Sequence, residues 1–179
     1  MPVNIENVHV KPLRSEHRRG AFECSNHTIQ NYCINNARKN NDAYMVRVYV
    51  ACEGESLEVI GYYYLCLTSY KVGVVDEKSD AKFGRVEAVP AVYLGMIGVH
   101  SDCHRMGIGK ILMKDAMLRT LQIAEIAGTY ALALDALDES LVTYYRDKFG
   151  FETFKEQSGL EMFLPVTTIR AAVAASQQV

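Results

Sequence analysis

A buried strand, a polar loop and a long helix follow one another directly in the middle of the chain. Val92 to Val99 is a nearly all-apolar run of strand length, as expected for a central strand with both faces covered. Gly107 to Ala127 then carries apolar residues at helical spacing opposite a charged face, and Gly128 ends that pattern. This succession constrains the fold more than any other feature, and it predicts an α/β chain whose sheet packs against helices.

Shorter segments of both kinds surround this centre. Strands are predicted at Val3 to Leu13, Tyr44 to Cys52, Leu57 to Ser69, Tyr130 to Leu134, Phe151 to Phe154 and Leu160 to Leu164. Helices are predicted at Asn26 to Asn40 and Glu139 to Lys148, and Ala171 to Gln178 is predicted to be a weak helix or a frayed end. The two strands between Tyr44 and Ser69 form a predicted antiparallel hairpin, and Lys71 to Pro90 a predicted irregular surface segment.

The composition fits one folded domain over residues 1–179, with a weak C-terminal tail over 166–179. Apolar residues make up 49% of the chain and charged residues 22%, a balance that builds a core and argues against disorder. The formal net charge is -2, so the chain lacks the basic excess of a dedicated nucleic-acid binder. Any contact with RNA therefore requires a local patch.

Cysteine usage and hydropathy favour a cytoplasmic location. The 5 cysteines include no CxxC pair, and an odd number fits reduced thiols better than a disulfide framework. No apolar run approaches the ~20 residues that span a bilayer, and no apolar stretch follows a basic N-terminus. We therefore expect neither a disulfide scaffold nor a membrane anchor.

The loop between the predicted central strand and the long helix has the features of a phosphate site. Gly107 and Gly109 stand at the start of the helix and let the backbone approach a ligand that side chains would exclude. The first helical turn leaves N–H groups unpaired, so the main chain from Arg105 to Lys110 can wrap a pyrophosphate. A tight strand-to-helix turn without a ligand is the alternative. The loop lacks the GxxxxGKS/T pattern of a nucleotide P-loop and the third glycine of a dinucleotide fingerprint.

His104, Gly107 and Gly109 fit the pattern Gln/Arg-x-x-Gly-x-Gly/Ala, and the loop thereby resembles the acetyl-CoA loop of the GNAT N-acetyltransferase superfamily. The resemblance implies a GNAT fold with a central mixed sheet of six to seven strands, acetyl-CoA as co-substrate and no metal. The sequence departs from the pattern in having His104 for Gln or Arg, and Arg105 where a third glycine often stands. The coenzyme-binding residues implied by the resemblance are Ile97, Gly98, Val99, His104, Arg105, Met106, Gly107, Ile108, Gly109, Lys110 and Asp135.

In GNAT folds, the strand before this loop splays from the next strand, and the pantetheine arm pairs with main-chain groups in the gap. By resemblance, Ile97 to Val99 takes that role, facing Leu134 and Asp135. The N–H of Val99 is then the expected donor to the thioester oxygen as negative charge develops on it.

Asp135 to Phe151 resembles the GNAT ending in which a short helix presents an aromatic-Tyr pair before a Gly-Phe that enters a strand. Tyr145 takes the catalytic position, since a phenol can protonate the thiolate that acetyl transfer expels. Core packing is the alternative for Tyr145. Asp135 and Asp138 are candidate bases, although Asp138 stands where a helix cap is expected. No base is identified, and water suffices for an α-amine that is already partly neutral.

His100, Cys103 and His104 suggest two other chemistries, a metal site or a Cys/His nucleophile pair. A metal site needs a further ligand, and none is apparent from the spacing. We therefore expect neither metal nor covalent chemistry at this loop.

A closer resemblance, from Phe22 to Leu164, is to the GNAT toxins of bacterial type II toxin–antitoxin systems. It rests on Phe22 to Asn26, Gly61 to Tyr63, Pro90 to Val99 and Asp135 to Asp138. The resemblance implies acetylation of the α-amine of aminoacyl-tRNA, a small DNA-binding antitoxin as partner, and a homodimer. Two alternatives stay open: an acetyltransferase acting on a small-molecule or protein amine without tRNA, and a non-catalytic acyl-CoA-binding module.

Contact with tRNA would need a basic face, because phosphate contacts supply most RNA affinity. The basic side chains either gather near the site or lie scattered over a solvated surface. The candidates for such a face are His17, Arg18, Arg19, Arg38, Lys39 and Arg47.

Overall fold

The structure, a computed structural model, describes residues 3–71, 87–154 and 159–176. The strands are β1 (Val8–Pro12), β2 (Arg47–Glu53), β3 (Gly61–Lys71), β4 (Ala88–Val99), β5 (Ala131–Asp135), β6 (Glu152–Thr153) and β7 (Glu161–Pro165). The helices are α1 (His27–Asn31), α2 (Ala37–Asp42), α3 (Ile108–Ala127), α4 (Glu139–Phe149) and α5 (Val166–Ser176). A π-helical segment at Tyr32–Asn36 joins α1 to α2, and short 3-10 turns lie at Ile5–Asn7 and Ser101–Cys103.

The strands form one mixed seven-stranded sheet in the order β1-β2-β3-β4-β5-β7-β6. β4 is the middle strand, which confirms the prediction from its apolar sequence. β2 and β3 pair antiparallel, with Arg47 opposite Leu65 and Ala51 opposite Gly61, so the predicted hairpin is confirmed. The predicted α/β class with a mixed sheet is likewise confirmed.

The start of β4 differs from the sequence prediction. The strand begins at Ala88, so the end of the predicted irregular segment, Ala88 to Pro90, belongs to the sheet. The buried side chain of Val89 gives these residues a place in the core that the polar composition around them conceals. Residues 72–86 of the predicted irregular segment lie outside the described residues.

The C-terminal helix also begins earlier than predicted. α5 starts at Val166, ahead of the predicted start at Ala171. Val166 and Ile169 are buried, so apolar contacts hold its first turn. The N–H of Val166 donates to the carbonyl of Tyr130 at 2.8 Å, which fixes the helix start further. The region predicted as a weak tail is therefore helical over its described part.

The described residues fall into two compact units, which are considered separately. The first comprises residues 3–66 and 94–116, and the second comprises 67–71, 87–93, 117–154 and 159–176. Different parts of β3, β4 and α3 thus belong to different units.

In the first unit, glycines in β3 and β4 stand where helices lie against the strands. A Cβ at Gly61 would lie 3.1 Å from side-chain atoms of both Ile108 and Leu112 in α3. A Cβ at Gly98 would lie 2.5 Å from Cγ2 of Ile29 in α1, closer than real Cβ contacts allow. The helices can therefore approach these strands only because the strands lack side chains there.

Two side chains from outside the helix satisfy carbonyls at the π-helical segment. The Tyr62 hydroxyl donates to the carbonyl of Ile29 at 2.6 Å. The Arg19 guanidinium donates to the carbonyls of Cys33 at 2.5 Å and Ile34 at 3.0 Å. A π insertion breaks the regular ladder and frees carbonyls that must find other donors. Arg19 supplies such a donor at Cys33 and Ile34 and so stabilises the insertion. The Tyr62 hydroxyl is a second donor to the Ile29 carbonyl in α1, which also accepts from the N–H of Tyr32.

Several of the candidate side chains for a basic face have partners within the protein. Arg18 forms an ion pair with Glu58 at 2.9 Å, and Arg38 forms one with Asp42 at 3.4 Å. Arg19 is bound to the carbonyls of the π-helical segment, so it has a structural role.

His17, Lys39 and Arg47 complete that set. His17 is buried, its Nδ1 accepts from the N–H of Arg14 at 2.9 Å, and burial lowers the pKa of its imidazole. Lys39 and Arg47 are exposed, and neither forms an ion pair with another described residue. Of the six candidate residues, Lys39 and Arg47 are therefore the ones that are exposed and form no ion pair with a described residue.

The second unit has an apolar core of its own. Its buried members are Val89, Ala91, Ala131, Ala133, Phe154 and Phe163. The Phe154 ring stacks on Tyr70 with centroids 4.4 Å apart and lies 4.8 Å from the Phe163 ring. An ion pair between Arg170 and Glu125 ties α5 to α3. Among the helices of the described residues, none is both long and apolar enough to cross a membrane.

Replacing Arg19 by methionine is expected to lower the free energy of unfolding by about 2–3 kcal/mol, because two carbonyls lose a charged donor. Arg18→Met is the matched control: it removes an exposed ion pair from the adjacent residue and should cost about 1 kcal/mol or less. Urea unfolding of both variants measures the difference. Equal losses would show that Arg19 does not hold the π-helical segment.

Candidate active site

The first half of the predicted phosphate loop is tied to other segments of the first unit. The N–H of His100 donates to the carbonyl of Ile60 at 2.9 Å, and the N–H of Ser101 donates to that of Glu23 at 2.9 Å. His100 Nδ1 accepts from the N–H of Asp102 at 3.2 Å and so caps the short 3-10 turn. The protein itself therefore fixes the entry of the loop.

The second half of the loop turns sharply and leaves its amides unpaired. Arg105 and Gly107 have left-handed backbone, with φ of 62° and 91°. α3 begins at Ile108, and its first backbone hydrogen bond runs from Lys110 to the carbonyl of Gly107 at 3.0 Å. Within the described part of the chain, no group accepts a hydrogen bond from the N–H groups of residues 105–109. A run of free amides at a helix N-terminus favours an anion.

Gly107 and Gly109 are glycines for different reasons. At Gly107 the backbone is left-handed, so any side chain would be strained although the nearest atom to a Cβ, in Ile5, is 3.5 Å away. At Gly109 the backbone has no positive φ, and a Cβ would make an ordinary contact with Val99 at 3.9 Å. The fold therefore requires glycine at 107 and does not require it at 109. A ligand lying against the backbone explains the second glycine.

The remaining loop residues differ in what they can offer a ligand. Ile108 is buried in the core, so its amide alone can reach a ligand. Met106 is half-buried, whereas Arg105 and Lys110 are exposed and can add positive charge. His104 Nε2 lies 3.1 Å from the carbonyl of Val99, so this imidazole ties the loop back to β4.

The predicted pantetheine strand, Ile97 to Val99, is the end of β4. Packing alone demands glycine at its centre, because a Cβ at Gly98 would clash with Ile29 and lie 3.3 Å from Cε1 of Tyr62. The role of the Val99 N–H toward a thioester stays a prediction.

Asp135 lies at the end of β5, in the second unit. Its carboxylate is exposed, and Oδ2 accepts a hydrogen bond from the Tyr93 hydroxyl at 2.8 Å. The Tyr93 hydroxyl thus occupies one acceptor position of this carboxylate, and a coenzyme contact at Asp135 stays a prediction.

The helix that carries Tyr145 is fixed at both ends. Oδ1 of Asp138 accepts from the Ser140 hydroxyl at 2.6 Å and from the Leu141 N–H at 2.9 Å, and these bonds lower the pKa of Asp138. Gly150 ends the helix in left-handed backbone, with its N–H donating to the carbonyl of Arg146 at 2.9 Å. Asp138 is therefore the helix cap that its position predicts, which argues against it as a base.

Tyr145 combines a packed ring with an unpaired hydroxyl. The residue is 9% exposed, and its ring centroid lies 5.9 Å from that of Phe151 and 6.5 Å from that of Phe149. Burial raises the pKa of the phenol to about 12, with smaller contributions from Tyr144 and Asp138. None of the described residues forms a hydrogen bond with the hydroxyl. The ring thus packs in the core while the hydroxyl proton stays available to a ligand.

The metal and thiol chemistries considered for the loop find no support. His100 and His104 are engaged with main-chain groups, and burial raises the pKa of the Cys103 thiol, the opposite of an activated nucleophile. Across residues 3–71, 87–154 and 159–176, no three His, Cys, Asp or Glu side chains are grouped to hold a metal ion.

Two tyrosines of β3 bond the helices of the first unit, and the sequence analysis did not predict these roles. Tyr62 donates to the carbonyl of Ile29 in α1, and Tyr63 donates to Oδ2 of Asp115 in α3 at 2.5 Å. The available signal was the two-residue period of a strand: neighbouring side chains on β3 point to opposite faces, so each tyrosine reaches a different helix.

A model of the acetyltransferase (GNAT) family matches residues 10–151 of the chain. The chain is 32% identical over 174 residues to a probable toxin TacT of Sinorhizobium fredii, covering 90% of this chain and 93% of that protein. It is 26% identical over 132 residues to a tRNA-acetylating toxin of Mycobacterium tuberculosis, covering 74% and 76%.

Solved structures share the fold at low sequence identity. AtaT complexed with acetyl-methionyl-tRNAfMet superposes with a TM-score of 0.85 at 21% identity, covering 93% of this chain and 99% of that one. A tyrosine mutant of AtaT bound to the C-terminus of the antitoxin AtaR and to acetyl-CoA gives 0.79 at 19%, covering 93% and 98%.

Gly109→Ala is expected to leave stability unchanged or raise the free energy of unfolding by up to about 1 kcal/mol, because alanine favours the helix and the Cβ has room. The same change should weaken acetyl-CoA binding by roughly tenfold or more, because the Cβ would separate the amides from the diphosphate. Chemical unfolding and isothermal titration measure the two effects.

Gly107→Ala is the control, and its strained φ should cost about 1–2 kcal/mol of stability whether or not a ligand binds. A Gly109→Ala variant with unchanged affinity for acetyl-CoA would contradict the assignment of the loop.

Proposed function

Because the chain belongs to the GNAT acetyltransferase family, we propose that it transfers acetyl directly from acetyl-CoA to the α-amine of aminoacyl-tRNA. The structural observation that carries the coenzyme half of this proposal is the run of unpaired amides over residues 105–109. The tRNA half is supported by the relatives.

The loop residues bind and orient the coenzyme. Acetyl-CoA, when bound, supplies a diphosphate for the amides and an acetyl thioester for transfer. Arg105 and Lys110 add positive charge near the helix start, and His104 keeps the loop against β4. The main chain of Ile97 to Val99 and of Asp135 orients the arm, with the Val99 N–H donating to the thioester oxygen as charge develops there.

Tyr145 is the proposed general acid. As the new C–N bond forms and the C–S bond breaks, the leaving sulfur needs a proton. The phenol is protonated at neutral pH because burial raises its pKa to about 12, and it donates that proton to the sulfur. The proton released by the amine nitrogen then returns to the phenolate, directly or through water. No general base is required, because an α-amine, whose ordinary pKa is about 7.7–8.0, is partly neutral at cytosolic pH.

The choice of aminoacyl-tRNA rests on the relatives. The named relatives are a probable toxin and a tRNA-acetylating toxin, and a structure of the same fold holds acetyl-methionyl-tRNAfMet. A cytoplasmic location follows from such a substrate, and an antitoxin partner follows from the toxin relatives. The predicted homodimer stays part of this proposal.

An acetyltransferase for a small-molecule or protein amine is the second candidate function. The observation in its favour is electrostatic: the net charge is -2, and most of the predicted basic face is engaged in contacts within the protein. An acceptor without phosphates would not need that face.

Tyr145→Phe is expected to lower the rate of acetyl transfer by about 100-fold or more while leaving acetyl-CoA affinity unchanged, because only the donated proton is lost. Tyr144→Phe is the matched control on the same helix and should retain wild-type turnover. Transfer of labelled acetyl to charged tRNA measures the rate. Turnover equal to wild type in Tyr145→Phe would remove the phenol from the mechanism.

The substrate proposal has its own test in a translation extract given labelled acetyl-CoA and the protein. Label is expected on aminoacyl-tRNA by mass spectrometry. Label confined to polyamines or protein N-termini would overturn the tRNA proposal and favour the second candidate.

The pH dependence of turnover follows from the raised pKa of Tyr145. The rate should rise from about pH 6 to about pH 9 as the α-amine loses its proton, and then stay level. Tyr145 itself should impose no fall until the pH nears its pKa of about 12. A descending limb with an apparent pKa of about 9 in the wild-type kcat profile would contradict a protonated, buried phenol.

A further inference from the structure

The turn that ends α2 has a tyrosine at the position where the backbone favours glycine. The N–H of Tyr44 donates to the carbonyl of Asn41 at 3.1 Å, and the N–H of Met45 donates to that of Asn40 at 3.0 Å. These are the two hydrogen bonds of a Schellman cap, in which Tyr44 is the left-handed residue with φ of 59°. Glycine usually fills this position because a Cβ is strained there.

The ring of Tyr44 lies outside the core. Tyr44 is 79% exposed, and Met45 beside it is 71% exposed. The guanidinium of Arg47 lies 4.4 Å from the centroid of the Tyr44 ring. One face of the ring is therefore backed by a cation while the other faces solvent. An open aromatic face of this kind can stack a nucleobase, and an arginine beside it strengthens such a site.

The turn is rigid and carries positive charge. Asn41 is buried, and its Oδ1 accepts from the N–H of Val48 at 3.0 Å, which ties the turn to β2. Lys39 and Arg47 are two exposed cations that form no ion pair with another described residue, and they flank Tyr44 in sequence. Cations on either side of a stacking ring can meet the phosphates of one strand. This charge favours RNA over a protein partner as the occupant.

The helical run from His27 to Asp42 separates this turn from the predicted coenzyme strand. Ile29, near the start of the run, packs at Gly98, and Tyr44 follows its end. At 1.5 Å per residue the two ends lie about 20 Å apart. A base on Tyr44 would thus belong to a nucleotide remote from the reacting amine.

We propose that Tyr44, with Arg47 behind its ring and Lys39 on the helix that precedes it, stacks an unpaired base of the RNA substrate. This rests on the proposed function, because it assumes that the acceptor is an RNA. The strained tyrosine is kept for its ring, so replacing it should affect RNA binding and folding in opposite directions.

Tyr44→Gly in the full chain is the test, with uncharged tRNA as the probe in fluorescence anisotropy. The Kd for tRNA should rise roughly 5- to 100-fold, the range for loss of one stacked base. The thermal midpoint should stay the same or rise, because glycine relieves the left-handed strain. With charged tRNA the change should appear in KM and leave kcat unchanged, because the site is remote from the amine.

Three further variants separate stacking from charge and from non-specific loss. Tyr44→Phe keeps the ring and should bind tRNA within about two-fold of wild type. Lys39→Gln should reduce the slope of log Kd against log salt by about one, whereas Tyr44→Gly should leave that slope unchanged. Ile126→Ser removes an 87% exposed apolar side chain elsewhere and should not change tRNA binding.

Wild-type tRNA affinity in Tyr44→Gly would overturn the stacking proposal, as would parallel losses of affinity and thermal midpoint. Loss of antitoxin binding with tRNA binding intact would assign the surface to a protein and also overturn it. The proposed function has a separate test. A wild-type protein that binds tRNA but does not acetylate charged tRNA would contradict the proposed function and leave the stacking proposal standing. Conversely, an unchanged KM for charged tRNA in Tyr44→Gly would overturn the stacking site and leave the proposed function standing.

Discussion

The close approach of two helices to the sheet is the constraint on which the first unit depends. A Cβ at Gly98 would stand 2.5 Å from Ile29 of α1, and one at Gly61 would stand 3.1 Å from Ile108 of α3. A side chain at either position would push a helix away from its strand. The start of α3 carries the unpaired amides, so packing at Gly61 helps to set where those amides point. The geometry of the candidate phosphate site thus originates in apolar contacts behind it.

Local patterns were enough to predict the fold class and the central strand, because each depends on neighbouring residues. The phosphate loop stays a prediction. The π-helical segment was not predictable. Ile29, Cys33 and Ala37 follow one another at a spacing that suits a regular α-helix, and all three are buried as expected. The insertion is stabilised instead by Arg19, which lies outside the helical run and whose hydrogen bonds to Cys33 and Ile34 exist only once the chain is folded. For the same reason, Arg19 was a candidate for a basic face, whereas in the fold it donates to carbonyls of the π-helical segment.

Charge pairing limits how this chain can hold a polyanion. Arg18 and Arg38 each form an ion pair with a carboxylate of the protein. His17 is buried, and burial lowers the pKa of its imidazole, which disfavours a positive charge there at neutral pH. Of the six candidates for a basic face, Lys39 and Arg47 then remain to supply affinity through counterion release. Aromatic stacking does not depend on net charge, and it adds to the affinity for single-stranded RNA.

Strained backbone is found at the two proposed binding surfaces, the turn at Tyr44 and the phosphate loop at Arg105. Among the described residues, Tyr44 and Arg105 are the non-glycine residues with left-handed backbone, and both are exposed, so burial of the side chain does not offset the strain. Each costs about 1–2 kcal/mol relative to an ordinary conformation, a noticeable fraction of a domain stability of about 5–15 kcal/mol. Glycine would relieve the strain at either turn without disturbing its hydrogen bonds. Glycine would, however, remove the Arg105 guanidinium beside the unpaired amides of the phosphate loop and the aromatic face of Tyr44 at the other turn. Retention of those groups at strained positions is explained if a phosphate meets the first and a base meets the second.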